Sequence, residues 1–101
     1  MSDGTKTEEA ITLVPPSDVT ADRVIKLKED IDKVIGGTNF LIVDLKEASV
    51  IDSSGIGVLI SAQNQLLKNQ GKLKVINATD DIVTMFKIMR LDKHFEIVGK
   101  I

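Results

Sequence analysis

Residues 51–57 read Ile-Asp-Ser-Ser-Gly-Ile-Gly and form the stretch of this sequence best suited to chemistry. They place a carboxylate, two hydroxyls and two glycines at the predicted start of an apolar helix. The residues concerned are Asp52, Ser53, Ser54, Gly55 and Gly57. Hydroxyl and carboxylate side chains at a helix start commonly cap free backbone N–H groups. The same position favours negative charge, so it also suits a phosphate attached to one of the hydroxyls.

A phosphate on Ser53 would change this surface strongly. It would add about −1.5 to −2 charges beside Asp52. Because Gly55 and Gly57 carry no side chain, another backbone or a phosphate could approach the helix start closely. A partner packed on that surface would then meet like-charge repulsion and a desolvation cost, which is the behaviour of a switch. In this interpretation Ser53 carries the modification and Ser54 caps the helix.

The surrounding elements alternate along the chain and place this stretch after a buried strand. Phe40–Leu45 is a continuous apolar run, typical of a strand buried on both faces. Other strands are predicted at Ile11–Val14, Leu73–Ile76 and Phe95–Val98. The first helix is predicted to enter at Ser17–Asp22 and to end at Gly36-Gly37, and the second to run from Ser54 to a C-terminal cap at Gly71. A third helix is predicted to be capped at Thr79. The β–α–β–α–β–α–β order predicts an α/β sheet with parallel crossovers, whose ligands meet the carboxyl ends of strands.

Composition excludes several function classes. The chain has 101 residues, 43 % of them apolar, with a net charge of −2, no cysteine and one histidine, His94. Disulfides and thiolate metal sites are therefore excluded, and a strongly basic nucleic-acid footprint is missing. No serine hydrolase motif or phosphate-binding loop occurs, and we expect no cofactor. Metal binding through Asp18, Asp44 and Asp52 is conceivable, although carboxylates at strand ends are more often caps.

Two further groups of residues have alternative interpretations. Lys87, Arg90, Lys93 and His94 are predicted to stabilise the end of the third helix, or alternatively to form a rim for an acidic partner. Met85, Phe86 and Met89 are predicted to be core residues, although an exposed Met89 could join a docking face. Near the first helix, Ser17, Asp18 and Thr20 are predicted to cap free N–H groups.

The nine residues Ile51–Leu59 resemble the signature of STAS domains, specifically the single-domain anti-sigma-factor antagonists. That family shows an apolar residue followed by Asp-Ser-(Ser/Thr/Ala)-Gly-(Leu/Ile)-Gly. The likeness extends to the central strand Phe40–Leu45, to Gly71-Lys72-Leu73 and to the ending from Lys87 to Phe95. It implies a four- to five-stranded mixed sheet with three to four helices packed mainly on one face. The domain would span residues 11–101, behind a disordered or frayed segment 1–10.

The resemblance also implies a mechanism. The unphosphorylated antagonist binds an anti-sigma factor that is itself an ATP-dependent serine kinase, and this frees a sigma factor. The kinase phosphorylates the serine after the motif's aspartate, here Ser53, and a metal-dependent phosphatase reverses the reaction. Asp18, Thr20, Asp52, Ser54, Gly55 and Gly57 would form the partner-binding surface. Pro15-Pro16 departs from the family's pattern at the neighbouring docking edge.

A protein of this kind is expected to be a cytoplasmic bacterial regulator rather than an enzyme. It would be a monomer or a weak dimer, would not bind nucleic acid directly, and would have no membrane span. Two alternative roles use the same domain: a small subunit bound to a lipid-transporting ABC ATPase, and a scaffold component of a stress-sensing assembly. A basic or apolar docking helix would favour the transporter role.

Overall fold

The computed structural model describes residues 10–100, and these form alternating strands and helices. The predicted frayed segment, residues 1–10, lies outside the described residues except for Ala10. The strands are β1 (Ile11–Leu13), β2 (Phe40–Asp44), β3 (Lys72–Ala78) and β4 (Glu96–Gly99), and the helices are α1 (Val24–Val34), α2 (Ser53–Leu67) and α3 (Asp80–Ile88). Short 3₁₀ turns occupy Ile35–Gly37 and Leu91–Lys93. The predicted α/β alternation is confirmed.

The four strands form one sheet in the order β1-β2-β3-β4. Leu41 of β2 lies opposite Ile11 on one side and Leu73 on the other, and Val75 of β3 lies opposite Ile97 of β4. Every strand pairing within residues 10–100 is parallel. The expected sheet is therefore present with four strands, and the antiparallel strand implied by a mixed sheet is not among the described pairs.

The helices cover one face of the sheet. Alternate residues Leu41, Val43 and Val75 are fully buried, because they point to the face on which the crossover helices pack. Their neighbours Ile42 and Ile76 point to the opposite face and are only half-buried. The prediction that the central strand is buried on both faces is therefore wrong for the outer face.

Two side chains fix the positions of α3 and α2. Thr79 caps α3, as predicted, because its hydroxyl accepts a bond from the backbone N–H of Ile82 (3.2 Å). Gln63 is buried, and both ends of its amide are used. Its Nε2 donates to the carbonyl of His94 (2.6 Å) and its Oε1 accepts from the N–H of Leu73 (2.9 Å). This amide ties α2 to β3 and to the segment before β4.

The aromatic residues of the core lie between α3 and β4. Phe86 is fully buried and packs edge-on against Phe95, with ring centroids 5.8 Å apart. The prediction that Phe86 belongs to the core is confirmed, and Met85 is half-buried against it. Met89 is 48 % exposed, so its placement in the core is wrong. It follows the last turn of α3, where no further element covers it.

The first helix begins later than the sequence suggests. α1 starts at Val24, and its N-cap residue, Arg23, makes no side-chain capping bond. Asp18 and Thr20 were expected to cap this helix, and neither does. The hydroxyl of Thr20 instead donates to the carboxylate of Asp22 (2.6 Å), and Asp18 bonds to a different loop.

Candidate functional site

The candidate site lies where β2 ends and α2 begins, and Asp52 organises it. Asp52 has extended backbone angles, and its Oδ1 accepts a bond from the N–H of Gly55 (3.1 Å). Its carbonyl accepts the first helical bond, from the N–H of Ile56 (3.0 Å). Asp52 is therefore the N-cap of α2. The prediction that Ser54 caps this helix is wrong, because Ser54 already lies inside the first turn.

The second carboxylate oxygen of Asp52 reaches across to another loop. Oδ2 accepts a bond from the backbone N–H of Ala21 (2.9 Å), just before α1. One carboxylate thus joins the starts of two helices. The N–H groups of Gly55 and then Ala21 hold the pKa of Asp52 below its ordinary value, since they stabilise the charged form. Asp52 therefore remains negatively charged at neutral pH beside the two serines.

Asp18, in the loop before α1, makes the reciprocal connection to the loop before α2. Its Oδ1 accepts bonds from the N–H groups of Ser49 (2.8 Å) and Val50 (3.1 Å). Between these carboxylates, Val19 and Ile51 form an isolated parallel bridge, closed by a bond from the N–H of Val19 to the carbonyl of Val50 (2.9 Å). The loop before α1 and the loop before α2 are therefore held together as one unit.

Gly55 and Gly57 lie in different environments. A Cβ placed on Gly55 would lie 2.5 Å from the carbonyl oxygen of Val19 and 2.8 Å from Cγ1 of Ile51. Gly55 therefore lets the two loops approach each other. A Cβ on Gly57 would meet nothing within 4 Å, and Gly57 is exposed. The packing of this chain alone gives no reason for a glycine at position 57.

The hydroxyls of Ser53 and Ser54 are the exposed groups of the site. Both residues lie in the first turn of α2, where backbone N–H groups lack helical partners. Asp52 is only half-buried beside them. The arrangement presents a hydroxyl that could act as a nucleophile or be modified. It lies on a backbone held by the hydrogen bonds of Asp52, next to the positive end of a helix.

A groove of about 430 Å³ adjoins this unit, between the segment after β1 and the first half of α1. Pro15 and Pro16 form part of its wall, together with Asp18 and Asp22. The hydroxyl of Thr20 is the main reason that the pKa of Asp22 is lowered. The groove is lined by charges of both signs, with Asp18, Asp22 and Asp30 beside Arg23 and Lys26, and Arg23 lies 4.0 Å from Asp22.

Several chemistries considered from the sequence have no support in this geometry. Among residues 10–100, no group of three or more histidine, cysteine, aspartate or glutamate side chains could hold a metal ion, so Asp18, Asp44 and Asp52 do not form one. His94 follows α3, whose end lies at the opposite edge of the sheet from Ser53. Within the described part of the chain, no helix combines the length and apolar character needed to cross a membrane.

The sequence does not predict the hydrogen bonds by which Asp18 and Asp52 join the two loops. Each joins residues about thirty positions apart in the chain, which no local pattern reveals. The sequence signal at Asp18 is that of a helix cap, and only the parallel pairing of Val19 with Ile51 brings its carboxylate to Ser49. The structure nevertheless brings Asp18, Asp52 and Gly55 together where the two loops join, with Ser53 directly after Asp52.

Comparison with known sequences gives a family match over almost the whole chain. The family model of the STAS domain matches residues 3–101. Two proteins called anti-sigma-B factor antagonist, from Listeria monocytogenes and Listeria innocua, are each 35 % identical to this chain over 55 residues. The match covers 54 % of this chain and 48 % of each relative, so it spans about half the length of these curated relatives.

Solved structures share the fold at low sequence identity. A Thermotoga maritima protein assigned as an anti-sigma factor antagonist has a TM-score of 0.84 at 17 % identity, covering 96 % of this chain and 85 % of that one. The anti-sigma factor antagonist SpoIIAA in its unphosphorylated form has a TM-score of 0.72 at 18 % identity, with coverages of 94 % and 83 %. Phosphorylated SpoIIAA from Bacillus has a TM-score of 0.70 at 19 % identity, with coverages of 92 % and 86 %. With its family match, its parallel four-stranded sheet and its Asp-Ser-Ser-Gly helix start, this chain belongs to the STAS domain family.

Proposed function

We propose that this protein is an anti-sigma-factor antagonist that is controlled by phosphorylation of Ser53. In its unphosphorylated form it binds an anti-sigma factor with serine kinase activity, and this frees a sigma factor. Phosphorylation of Ser53 releases the partner, and a metal-dependent serine phosphatase restores the binding form. The observation that carries the proposal is the exposed Ser53 at the first position of α2, directly after the fixed carboxylate of Asp52.

The geometry supports a switch that acts on the surface rather than on the fold. Asp52 is bonded to both Gly55 and Ala21, so the backbone on which Ser53 sits is held on two sides. A phosphate there would be favoured by the helix N-terminus and would add negative charge to a surface already lined by Asp22 and Asp52. A partner that docks on this surface would lose affinity because of repulsion and desolvation, while the domain stays folded.

The outer face of α2 supports close docking. All 15 residues from Ser53 to Leu67 are uncharged, although 28 % of the whole chain is charged. Exposed helix faces normally carry charged side chains. Gly57 in addition leaves an open place on this face. We propose that the partner contacts Ser53, Ser54 and Gly57 directly, while Asp18 and Gly55 act by positioning the two loops.

Thr20 has a separate part in this proposal. It is half-buried and its hydroxyl donates to Asp22, so it fixes a charged group at the rim of the docking surface. We propose that this rim contributes to recognition of the partner. We also propose that the protein acts in the cytoplasm, where a kinase has access to ATP. The names of the Listeria relatives and the existence of SpoIIAA in phosphorylated and unphosphorylated forms support this direction.

We also propose that the protein is a substrate of the kinase and has no catalytic activity of its own. A serine nucleophile needs a base within hydrogen-bond reach and an oxyanion site. The sequence contains a single histidine, His94, and it follows the far end of α3. Asp52 is committed to two backbone N–H groups and is held in its charged form by them.

A binding experiment tests this function. A candidate anti-sigma factor with serine kinase activity, chosen from the neighbouring genes or captured with this protein from its native lysate, is titrated with the unmodified chain, with Ser53→Ala and with Ser53→Asp. We expect the unmodified chain and Ser53→Ala to bind alike, and Ser53→Asp to bind at least tenfold more weakly, because an added charge on this surface opposes docking.

Ser54→Ala provides the matched control. It removes the neighbouring hydroxyl in the same turn of α2 without adding charge. If Ser53 is the switch, phosphate transfer from the kinase is retained in Ser54→Ala and lost in Ser53→Ala. Equal binding of Ser53→Asp and the unmodified chain would contradict the proposed function.

A further inference from the structure

The amino edge of the sheet, opposite the candidate site, carries a surface that the proposed switch does not use. Connectivity defines this edge, because each crossover helix starts at the carboxyl end of one strand and ends at the amino end of the next. Ser53 therefore lies at one edge, while the ends of α2 and α3 and the starts of β3 and β4 lie at the other. We call this second surface the amino-edge patch. Its members are Leu67, Lys68, Lys72, Lys87, Ile88, Met89, Arg90 and Lys93.

The patch is basic although the protein as a whole is acidic. Five cations lie on it, and none of them has an ion-pair partner within the described part of the chain. They are Lys68, Lys72, Lys87, Arg90 and Lys93. The acidic groups in this region are Asp92 and Glu96, and Glu96 already faces Lys74 at 3.8 Å. The net charge of the whole chain is −2, whereas the patch has five cations beside the two carboxylates Asp92 and Glu96 and is therefore positive.

The patch also exposes three large apolar side chains. Ile88 is 75 % exposed, Leu67 is 55 % exposed and Met89 is 48 % exposed. A groove of about 530 Å³ has both Leu67 and Lys93 in its lining, so the end of α2 and the 3₁₀ turn that follows α3 border one groove. The patch therefore combines protruding apolar groups with unpaired cations around them.

We propose that the amino-edge patch binds an anionic lipid surface, with Ile88 and Met89 entering the interface and the cations contacting the headgroups. Cations attract the protein to anionic lipids, and apolar side chains held among them add area that is removed from water. Because Ser53 lies at the other edge of the sheet, the switch surface would face away from the lipid. The proposal does not depend on phosphorylation of Ser53.

The shape of the patch favours a lipid surface over an acidic polypeptide. The most exposed apolar side chain, Ile88, protrudes from the end of α3 and does not line the groove. The groove itself is lined by charged residues of both signs, including Lys72, Asp92 and Glu96. A peptide would need a concave apolar site, whereas a lipid interface accepts protruding apolar groups that are surrounded by cations.

Vesicle co-sedimentation tests the proposal. The full chain is mixed with vesicles of equal parts phosphatidylglycerol and phosphatidylcholine, and with vesicles of phosphatidylcholine alone. We expect binding to the anionic vesicles at low salt, strongly reduced binding at high salt, and no binding to the neutral vesicles. The triple variant K87Q/R90Q/K93Q should bind about 100-fold more weakly, since each cation near an anionic surface contributes about fivefold.

Matched variants separate a specific surface from general charge. R23Q/K28Q/K46Q removes the same charge away from the patch and should bind as the unmodified chain does. Ile88→Ser should reduce binding about tenfold through lost apolar burial, whereas Ile25→Ser, at the 68 % exposed Ile25, should leave it unchanged. Both isoleucines are exposed, so the fold is expected to persist.

Four results would overturn the proposal. They are no binding to the anionic vesicles, equal binding to neutral vesicles, equal losses in the two triple variants, and unchanged binding of Ile88→Ser. Retention on immobilised polyglutamate without vesicle binding would instead assign the patch to an acidic protein partner and would also overturn it.

Discussion

Gly55 and Gly57 lie two residues apart in one helical turn, yet the structure uses them in opposite ways. Gly55 faces inward, where a Cβ would lie 2.5 Å from the carbonyl oxygen of Val19. Gly57 faces outward into open space. The same residue type thus serves the fold on one side of α2 and leaves room on the other. The difference separates the part of the motif that builds the surface from the part that is available to a partner.

The comparison extends to the other residues of the motif. The inner side also includes Asp18 and Asp52, whose carboxylate oxygens accept hydrogen bonds from backbone N–H groups of the opposite loop. The outer side is formed by Ser53 and Ser54, which are exposed. Substitutions on the inner side should therefore change stability, and substitutions on the outer side should change binding.

Gly55→Ala should have the largest effect on stability. The added methyl group meets a backbone carbonyl that cannot move without disturbing the bridge between Val19 and Ile51. We expect a loss of about 3 kcal/mol in the free energy of unfolding, at the upper end for an overpacked core. Urea denaturation measures this loss. A loss below about 1 kcal/mol would mean that the two loops are not held together as described.

Asp18→Ala should have the next largest effect. It removes the charged acceptor of the N–H groups of Ser49 and Val50, in two hydrogen bonds that are exposed to solvent. We expect a loss of about 1.5 kcal/mol in the free energy of unfolding, because water can solvate the released N–H groups. Asp18→Asn keeps an acceptor oxygen and should lose clearly less. Similar losses for the two variants would show that the charge of Asp18, rather than its acceptor geometry, is important.

Gly57→Ala should stabilise the protein by about 1 kcal/mol, because alanine favours a helix more than glycine does and meets no neighbour here. Binding to the anti-sigma factor should weaken at the same time, because the methyl group occupies the open place on α2. Calorimetric titration and urea denaturation of the same variant measure both quantities. Higher stability with unchanged affinity would exclude Gly57 from the docking surface.

The pH dependence of stability should show the smallest effect. The pKa of Asp52 is lowered in the folded state by N–H groups of Gly55 and Ala21, so its charged form stabilises the fold. That contribution is complete above the ordinary carboxylate pKa and is lost as the pH falls through the lowered folded-state value. Stability should therefore decline less steeply in Asp52→Asn below about pH 4 than in the unmodified chain. Thermal unfolding at several pH values compares the two proteins, and parallel curves would contradict this role of Asp52.

Local sequence patterns predicted the elements of the fold well. The run Phe40–Leu45, the helical spacing after residue 53 and the cap at Thr79 each depend on neighbours in the chain, and each is present. Patterns of this kind record which residues must be buried or capped, so they also placed the serines at a helix start. The outer face of β2 was less predictable, because an apolar run does not show how many faces are covered.

Features that depend on distant contacts were not predictable. Asp18 has the sequence signature of a cap, yet it bonds to a loop thirty residues away. Gly71 was expected to adopt the helix-ending conformation, but Gln70 has the left-handed φ of 61° and Gly71 instead lies against the carbonyl of Asn39. Asp52 and Ser54 both belong to residue types that favour the N-cap, so local sequence does not decide between them, and Asp52 is the cap. In each case the tertiary approach of another segment decided the outcome.

The central claim is that Ser53 is the phosphorylated residue, and mapping of the phosphate by mass spectrometry tests it most directly. The full chain is incubated with ATP and its anti-sigma kinase, beside Ser53→Ala and Ser54→Ala. The account predicts one phosphate per chain on Ser53, an equal yield in Ser54→Ala and none in Ser53→Ala. Phosphate on Ser54, or undiminished uptake by Ser53→Ala, would contradict it.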